Sequence, residues 1–424
     1  MAEDARISRL KKLEEEEKWE EALPLAESLA EDGNDYGEDT LGYMYIQGLG
    51  VKPDLEKARY FLEKSRAHGN ANASFLLGAL YQDGWLGEEN PEKAIPFYLE
   101  AASKGEENAL ERLGDLAFQK EDYEQAFPLF LKSAEKGCVA AQLELGFCYD
   151  KGLGTEKNDE KAAEWYLKAA EAGDDQAMSN LSEMYFLGTV PGCEGQPDFG
   201  KAREWSEKSA DLGNATASYR LGCMYAMNEL EDENGRKAFQ YFQKSAREDY
   251  ADAQWALGLC YEAGHGTETN YEKAMEWYRK AADQGEDEAM VCIGNLYFFG
   301  KGVEESSNQA RKWYEKAAEL GNTDALWKLG LYYEAGADTE LNIHEALSLY
   351  RKAAEAGNAD AAKIMGDIYS EGTLVEKDEK QALEWYRLAV ERGNKRAEPS
   401  LLYLQIKGEG TRNDYLDFFR HKVQ

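Results

Sequence analysis

Residues that could perform acid–base or nucleophilic chemistry are few and widely separated in this chain. No Ser, Cys or Asp neighbour recurs beside a histidine at a spacing that suggests a nucleophile and its base. The four histidines are His68, His265, His344 and His421. The sequence therefore predicts a protein without catalytic residues.

Cysteine and acidic side chains are the next candidates, as ligands for a metal ion. The six cysteines form no CxxC pair, and no histidine stands near them at zinc-finger spacing. Cys148 and Cys260 fall at the same repeat position on the apolar side of a predicted helix, where a thiol packs as a small hydrophobe. The acidic run Glu14–Glu17 lacks the glycine-centred loop of calcium sites. We therefore expect no metal ion and no cofactor.

Several Gly-x-Gly pairs could be mistaken for phosphate-binding loops. Each follows a predicted helix rather than a strand, and each recurs in step with an internal repeat. The pairs are Gly48 and Gly50, Gly152 and Gly154, Gly264 and Gly266, Gly300 and Gly302, and Gly408 and Gly410. We interpret them as turns between helices.

The internal repeat is carried by an alanine that follows Lys, Gln or Glu. Eight of its ten intervals are 36 residues, one is 32 and one is 40. The alanines are Ala22, Ala58, Ala94, Ala126, Ala162, Ala202, Ala238, Ala274, Ala310, Ala346 and Ala382. A tandem period of this length predicts a solenoid of stacked supersecondary units.

Each unit has the pattern of two amphipathic helices joined by a glycine loop. The copy from Ala253 to Gly285 reads AQWALGLCYEAGHGTETNYEKAMEWYRKAADQG, with apolar residues three and four apart in both halves. Helices of about 11 to 14 residues are marginal alone, so each pair depends on its neighbours for burial. The sequence therefore predicts an all-α fold of about eleven helix-turn-helix repeats.

Leu-Gly, then Tyr, Gly-x-Gly, Lys-Ala, Trp-Tyr and Lys-Ala-Ala-x-x-Gly recur in nearly every copy. This pattern resembles the Sel-one-like repeat (SLR), a longer-looped relative within the tetratricopeptide-repeat superfamily. The resemblance covers residues 5 to 411. It implies a right-handed alpha-alpha superhelical solenoid whose first helices line a concave face.

We expect three segments within a single solenoid. Residues 1–36 form an N-terminal capping repeat, residues 37–396 form ten tandem repeats, and residues 397–424 form a half repeat with a capping helix. The last segment ends in DYLDFFRHKVQ, whose aromatic residues are placed to cover the final open face. Counting copies from residue 37, copy three lacks the glycine loop and copy five carries a four-residue insertion within residues 188–200.

The charge of the chain limits its partners. Lys and Arg number 49 against 82 Asp and Glu, so the net charge is −33. A surface of this sign disfavours nucleic acid and anionic membranes and accommodates a basic protein or peptide. No window is apolar enough to insert into a membrane, and the start MAEDARISRL lacks the features of a signal peptide. We expect a cytoplasmic protein that is a monomer or a weak dimer.

A concave face would present the residues two, six and nine positions after the leading alanine of each first helix. We call these the groove positions; they lie off the apolar stripe of the helix. The predicted partner-binding residues are Phe75, Tyr219, Trp255, Val291, Asn295, Phe298, Trp327 and Lys328. Rigid aromatics beside an amide and a cation suit an extended peptide or a helix.

The alternatives concern both the tryptophans and the function. Trp255 and Trp327 could instead pack between neighbouring first helices as core residues. The main functional prediction is a non-catalytic adaptor that binds a protein segment in the groove. One alternative is a cell-wall or beta-lactam-related enzyme like some cysteine-rich relatives of the family, and another is an exported effector that contacts a host.

Overall fold

The chain is helical throughout the part that the structure describes. The computed structural model describes residues 2–193, 195–227, 232–335 and 342–409, and within these ranges it has 23 α-helices, one 3-10 turn (Lys395–Ala397) and no strand. Apart from both ends, the helices form ten pairs that follow the sequence repeat. The predicted all-α solenoid of helix pairs is confirmed.

The first and second helices of copies one to ten alternate along the chain. The first helices are α3 (Asp35–Gln47), α5 (Ala71–Gln82), α7 (Asn108–Gln119), α9 (Val139–Lys151), α11 (Asp175–Leu187), α13 (Ala215–Met227), α15 (Ala251–Ala263), α17 (Asp287–Phe299), α19 (Thr323–Ala335) and α21 (Ala359–Glu371). The second helices are α4 (Leu55–Ala67), α6 (Pro91–Ser103), α8 (Tyr123–Glu135), α10 (Asp159–Glu171), α12 (Phe199–Asp211), α14 (Asp232–Arg247), α16 (Tyr271–Asp283), α18 (Ser307–Glu319), α20 (Ile343–Glu355) and α22 (Glu379–Glu391).

Additional helices precede and follow the ten pairs. Helices α1 (Ala2–Glu15) and α2 (Trp19–Glu31) form the predicted N-terminal pair, and Leu10 and Leu29 are completely buried within it. Helix α23 (Glu398–Glu409) follows the 3-10 turn. The aromatic residues predicted to cover the final face, Tyr415, Phe418 and Phe419 among them, lie outside the described residues.

The chain divides into two compact units, Met1–Asn214 and Ala215–Gln424. The division falls between copies five and six. Unit 1 therefore holds the N-terminal pair and copies one to five, and unit 2 holds the remaining copies.

A glycine on nearly every first helix contacts a side chain from the second helix of the same copy. A Cβ added to Gly258 would lie 2.5 Å from the Tyr278 ring, closer than real Cβ contacts allow. Most copies repeat this contact between glycine and ring; the pairs include Gly78 and Tyr98, Gly114 and Phe130, Gly146 and Tyr166, Gly222 and Phe242, Gly294 and Tyr314, Gly330 and Tyr350, and Gly366 and Tyr386. The glycine thus sets how closely the two helices approach.

Copy five replaces this contact with a pair of serines. Ser182 stands at the glycine position and Ser206 at the ring position, and both are completely buried. Their hydroxyl oxygens are 2.6 Å apart, and Ser182 also lies 2.7 Å from the carbonyl oxygen of Ala202. Two small hydroxyl side chains therefore take the place of one ring, and hydrogen bonding satisfies the buried oxygens.

The Gly-x-Gly loops join the two helices of one copy and contact the copy before it. The second glycine of four pairs (Gly50, Gly154, Gly266 and Gly302) lies against the start of the preceding second helix, where a Cβ on Gly154 would collide with the carbonyl of Tyr123. Gly152 and Gly154 both have a positive φ, 72° and 66°. These four loops are therefore tight turns between helices, as predicted, and they also touch the previous copy. Gly408 of the fifth predicted pair lies instead within α23, and Gly410 lies outside the described residues.

Asparagines at the start of several first helices fasten one copy to the previous copy. Asn322 Oδ1 accepts the backbone N–H of Ala325 (2.8 Å), and its Nδ2 donates to Asp287 of the preceding first helix (3.0 Å). Asn358 makes the same two bonds, to Ala361 and Asp324, at 2.8 Å each. One side chain thus caps its own helix and positions the adjacent one.

The contact between glycine and ring yields a stability prediction. We expect Gly146→Ala to destabilise unit 1 by about 1–3 kcal/mol, because the new methyl group must displace the Tyr166 ring. Urea unfolding followed by circular dichroism measures the effect. The matched control is Gly200→Ala in helix α12, where an added Cβ meets only the Asp198 side chain at 3.3 Å. We expect that control to keep its stability or to gain up to about 1 kcal/mol, because alanine has a higher helix propensity than glycine; equal losses in the two variants would contradict the steric role of Gly146.

Candidate functional site

The groove positions are mostly half-buried in the described structure. In copy seven, Trp255, Leu259 and Glu262 occupy these positions, and each keeps part of its surface exposed. Some groove positions are instead closed, since Val291 is 4% exposed and Glu111 is 9% exposed. The first-helix face therefore combines accessible side chains with others that belong to the core.

Tyrosines of the second helices reach this face and donate hydrogen bonds to it. Their hydroxyls donate to carboxylate or amide oxygens at groove positions six or nine residues after the leading alanine. The bonds are Tyr98 to Gln82 (2.7 Å), Tyr278 to Glu262 (2.8 Å), Tyr314 to Asn295 (2.9 Å), Tyr350 to Glu334 (2.6 Å) and Tyr386 to Asp367 (2.8 Å). Burial raises the pKa of these phenols, to about 12 for Tyr386, so they remain protonated donors.

Three of the predicted site residues are connected in unit 2. Asn295 accepts the Tyr314 hydroxyl, and Lys328 Nζ lies 6.0 Å from the centroid of the Tyr314 ring. The same Nζ lies 5.1 Å from the Trp327 ring. The structure thus brings Asn295, Lys328 and Trp327 together around Tyr314.

Trp255 and Trp327 are half-buried, with the polar end of each indole turned inward. Both Nε1 atoms are buried and have no conventional hydrogen-bond partner among the described residues. The Trp255 N–H faces the Cys292 thiol of the next first helix. Burial raises the pKa of this thiol to about 11, although the Trp255 N–H acts in the opposite direction and lowers it. Each tryptophan therefore packs against the core on one side and keeps part of its surface exposed.

The most exposed apolar side chains of this face lie in copies eight and nine. Phe298 is 42% exposed, and Leu331 is 40% exposed; both occupy groove positions. The Phe298 ring packs edge-on against Phe299 at 5.1 Å between centroids. We call four of the accessible groove residues the aromatic wall: Trp255, Phe298, Trp327 and Leu331.

The remaining predicted residues lie apart from this wall. Phe75 is in unit 1, where its ring packs 5.6 Å from that of Tyr98. Tyr219 lies near the start of unit 2 and packs against Tyr250 at 5.4 Å. Val291 is almost completely buried and supports the face from within.

Sequence reasoning missed an open pocket on the first-helix face of unit 1. It has a volume of about 480 Å³ and is lined mainly by helices α9 and α11, with Leu143, Phe147 and Asp150 at groove positions. Glu144 and Tyr166 also line it, and Lys151 and Lys157 bring two cations to the same lining. The groove positions of copy four could have indicated this pocket from the sequence, but the prediction was based on the large aromatic residues of unit 2.

Buried carboxylates extend from this pocket toward copy three. Burial, followed by the Asp115 charge, raises the pKa of Glu111 to about 7. Burial, followed by the charges of Asp115 and Asp174, raises the pKa of Glu144 to about 7 as well. Arg112 Nη1 lies 3.8 Å from Asp115, so one cation serves several acids. This face of unit 1 is therefore acidic and incompletely neutralised.

The described residues contain neither a metal-binding cluster nor a membrane-spanning helix. In those ranges no three His, Cys, Asp or Glu side chains converge as metal ligands would. No helix there has the length and apolar character needed to cross a bilayer. All six cysteines are free thiols, and burial raises the pKa of Cys148 and Cys260 to about 12, which leaves both unreactive.

Helix pairs joined by glycine loops and repeated along the chain define a repeat solenoid of the alpha-alpha class. The chain belongs to the Sel1 repeat family. Ten Sel1 repeats match residues 41–70, 71–106, 111–138, 139–174, 175–214, 215–250, 251–286, 288–322, 323–358 and 359–394.

Two solved structures resemble the whole chain. The first is c5321, a protective antigen of uropathogenic Escherichia coli with an SLR fold, at 31% identity and a TM-score of 0.75, over 91% of this chain and 83% of that one. The second is a Sel1 repeat protein from Oxalobacter formigenes, at 28% identity and a TM-score of 0.53, over 81% of this chain and 89% of that one.

Curated relatives match over shorter segments. Chitin synthase regulatory factor 3 of Schizosaccharomyces pombe is 31% identical over 153 residues, which are 34% of this chain and 16% of that protein. The ERAD-associated E3 ubiquitin-protein ligase component HRD3A of Arabidopsis thaliana is 26% identical over 190 residues, 40% of this chain and 27% of that protein. The chain thus matches less than a third of either relative.

The raised carboxylate pKa values predict how stability depends on pH. A glutamate has a pKa of about 4.3 in an unfolded chain, so Glu144 binds its proton more tightly in the folded state. The stability that protonated Glu144 contributes to the folded state is therefore fully present below about pH 4 and is lost as the pH rises through 7. We expect Glu144→Gln to raise the free energy of unfolding by about 1–2 kcal/mol at pH 8, a value discounted for partial solvent screening, and to have little effect at pH 4.

Urea unfolding at the two pH values checks this expectation. Glu183→Gln is the matched control, because Glu183 lines the same pocket but is exposed. A Glu144→Gln variant that is less stable than the parent at pH 8 would show that the carboxylate is favourably paired, contrary to this account.

Proposed function

We propose that this protein is a non-catalytic scaffold that binds a protein or peptide segment along its first-helix face. Family membership supports this class of function. One matched relative is named as a regulatory factor of chitin synthase and another as a component of a ubiquitin ligase. Both names describe proteins that act on or within a larger assembly. Because little of either relative is matched, their partners are not assigned to this chain.

We assign the principal contact to the aromatic wall of unit 2. The observation that carries this assignment is that each of copies seven to nine has an accessible apolar side chain at a groove position: Trp255, then Phe298, then Trp327 with Leu331. Half-exposed indoles bury much area at low entropic cost, and Phe298 and Leu331 add exposed apolar surface. Lys328, held over Trp327 and Tyr314, provides a charge beside this surface.

The fixed acceptors of this face suit a partner in extended or helical form. Glu262 and Asn295 are oriented by the hydroxyls of Tyr278 and Tyr314, so their positions do not depend on a bound partner. Such preorganised polar groups lower the entropic cost of binding. The partner would place apolar side chains on the wall and backbone or polar groups beside these acceptors.

A peptide selection with matched variants tests the site. Peptides enriched from a random display library by the full chain should lose at least about 30-fold in affinity for a Trp255→Ala, Trp327→Ala variant, as hot-spot residues do. The control is Trp277→Ala, Trp313→Ala, which removes the same side chains from second helices, where Lys280 and Lys316 cover the rings at 3.9 and 4.2 Å. Fluorescence polarisation measures the affinities.

A Leu331→Glu variant distinguishes loss of peptide binding from loss of folding. This side chain is exposed, so its replacement should leave the urea midpoint unchanged while weakening the selected peptides by at least about tenfold. Retained affinity in a folded Leu331→Glu variant and in a folded double tryptophan variant would refute the aromatic wall as the site.

A further inference from the structure

A second, chemically different pocket lies in unit 1, between the N-terminal helix pair and copy one. It has a volume of about 430 Å³, and we call it the cap pocket; it is lined chiefly by Glu14, Trp19, Tyr36, Asp39 and Tyr43. Glu14 comes from the end of α1 and Trp19 from the start of α2, while the other three lie on α3. The pocket thus combines three aromatic rings with two carboxylates.

Asp39 is buried in the wall of this pocket without full satisfaction of its charge. The residue is 8% exposed, and its Oδ2 accepts a hydrogen bond from Asn72 Nδ2 at 2.8 Å. Its Oδ1 is buried and has no hydrogen-bond partner among the described residues. An unpaired buried carboxylate oxygen is costly, and native proteins rarely retain one without a reason.

The second carboxylate is used to hold the pocket in shape. Glu14 accepts hydrogen bonds from the Tyr36 hydroxyl and from Thr40 Oγ1, the latter at 2.8 Å. These bonds occupy both of its oxygens and fix the Tyr36 ring, but they leave its negative charge in place. Asp39 is therefore the group with a free acceptor, and Glu14 adds to the negative potential around it.

Aromatic faces stand at the mouth of the pocket. The Trp19 and Tyr43 rings are 6.2 Å apart between centroids and tilted by 52°, and Tyr43 is 39% exposed. Lys11 Nζ already lies 5.0 Å from the Tyr36 ring centroid. Ring faces carry negative electrostatic potential and attract cations, most strongly where water is partly excluded.

We propose that the cap pocket binds an organic cation, an alkylammonium or guanidinium group, whose charge lies beside the Asp39 carboxylate and whose alkyl stem lies against Trp19 and Tyr43. Aromatic walls and a single free carboxylate oxygen suit an organic cation rather than a metal ion, which needs several oxygen ligands. The group comes either from a Lys or Arg side chain of a partner or from a free polyamine. The proposal does not depend on the aromatic wall of unit 2.

Copy one differs from the other copies in the residues that form this pocket. Asp39 and Tyr43 occupy the first two groove positions of α3, an acid followed one turn later by an aromatic ring. The corresponding pairs elsewhere include Phe75 and Ala79, Glu111 and Asp115, Leu143 and Phe147, Ser179 and Glu183, Trp255 and Leu259, and Trp327 and Leu331. The combination is therefore a property of copy one and not of the repeat.

Fluorine NMR of the full chain, labelled with 5-fluorotryptophan, gives a readout at the site itself. Trp19→Phe identifies the Trp19 resonance. We expect N-acetyl-lysine methylamide to shift that resonance in a saturable manner, and N-acetyl-norleucine methylamide, which has the same stem without the charge, to leave it unchanged. Raising the salt concentration should weaken the shift, because the attraction is electrostatic.

Asp39→Asn should weaken binding of the lysine derivative at least tenfold. The same variant should raise the urea midpoint, because it removes a buried unpaired charge; a carboxylate with a purely structural role would lower it on removal. Glu111→Gln is the matched control, since Glu111 is a buried carboxylate at the equivalent position of copy three. That variant should retain the full Trp19 response.

Spermidine and a lysine-containing peptide then distinguish the two sources of the cation. Tighter binding of spermidine than of the peptide would favour a free polyamine, and the reverse would favour a partner's basic side chain. An equal response to lysine and norleucine derivatives, no response to any cation, or unchanged binding by Asp39→Asn would overturn the proposal, while leaving the test of the aromatic wall unaffected.

Discussion

The contact between a first-helix glycine and the ring of its second helix is the constraint on which the repeat depends. Without a side chain at Gly258, the Tyr278 ring packs close to the first helix and its hydroxyl donates a hydrogen bond to Glu262. One residue therefore determines helix spacing and also delivers a donor to the exposed face. Phe130 and Phe242 fill the same space without a hydroxyl, so packing is the general requirement and the hydrogen bond is an addition in the tyrosine copies.

This division explains where the copies can vary. Leading alanines such as Ala253, glycines and rings are buried in copy after copy, whereas the groove positions hold carboxylates, aromatics, amides and lysine. A substitution at an exposed groove position changes the chemistry of the face with little effect on the helix pair beneath it. The inner contact also varies: in copy one Leu62 takes the place of the ring against Gly42, and in copy five Ser182 and Ser206 replace glycine and ring together.

The sequence predicted the helix pairs because their alanine and glycine signals arise from contacts within and between adjacent copies. It also placed Asn295, Trp327 and Lys328 on one face, but the ring that joins them, Tyr314, comes from another helix. It missed the cap pocket because copy one has Gly37 where other copies have the leading alanine, so Asp39 was not recognised as a groove position. Nor could spacing alone show that an indole N–H or the Asp39 Oδ1 is buried without a partner, since burial depends on the neighbouring copies.

The two units present different chemistry to a partner. The groove positions of unit 1 include the partly desolvated carboxylates Asp39, Glu111 and Asp115. Aromatic and apolar side chains dominate the groove positions of copies seven to nine in unit 2. Desolvated acids favour a cation strongly but discriminate by charge, whereas half-exposed indoles discriminate by shape. Binding at unit 1 should therefore weaken as salt rises, while binding at unit 2 should be nearly indifferent to it. A chain with a net charge of −33 can in this way attract basic groups over long range while reserving a separate surface for apolar recognition.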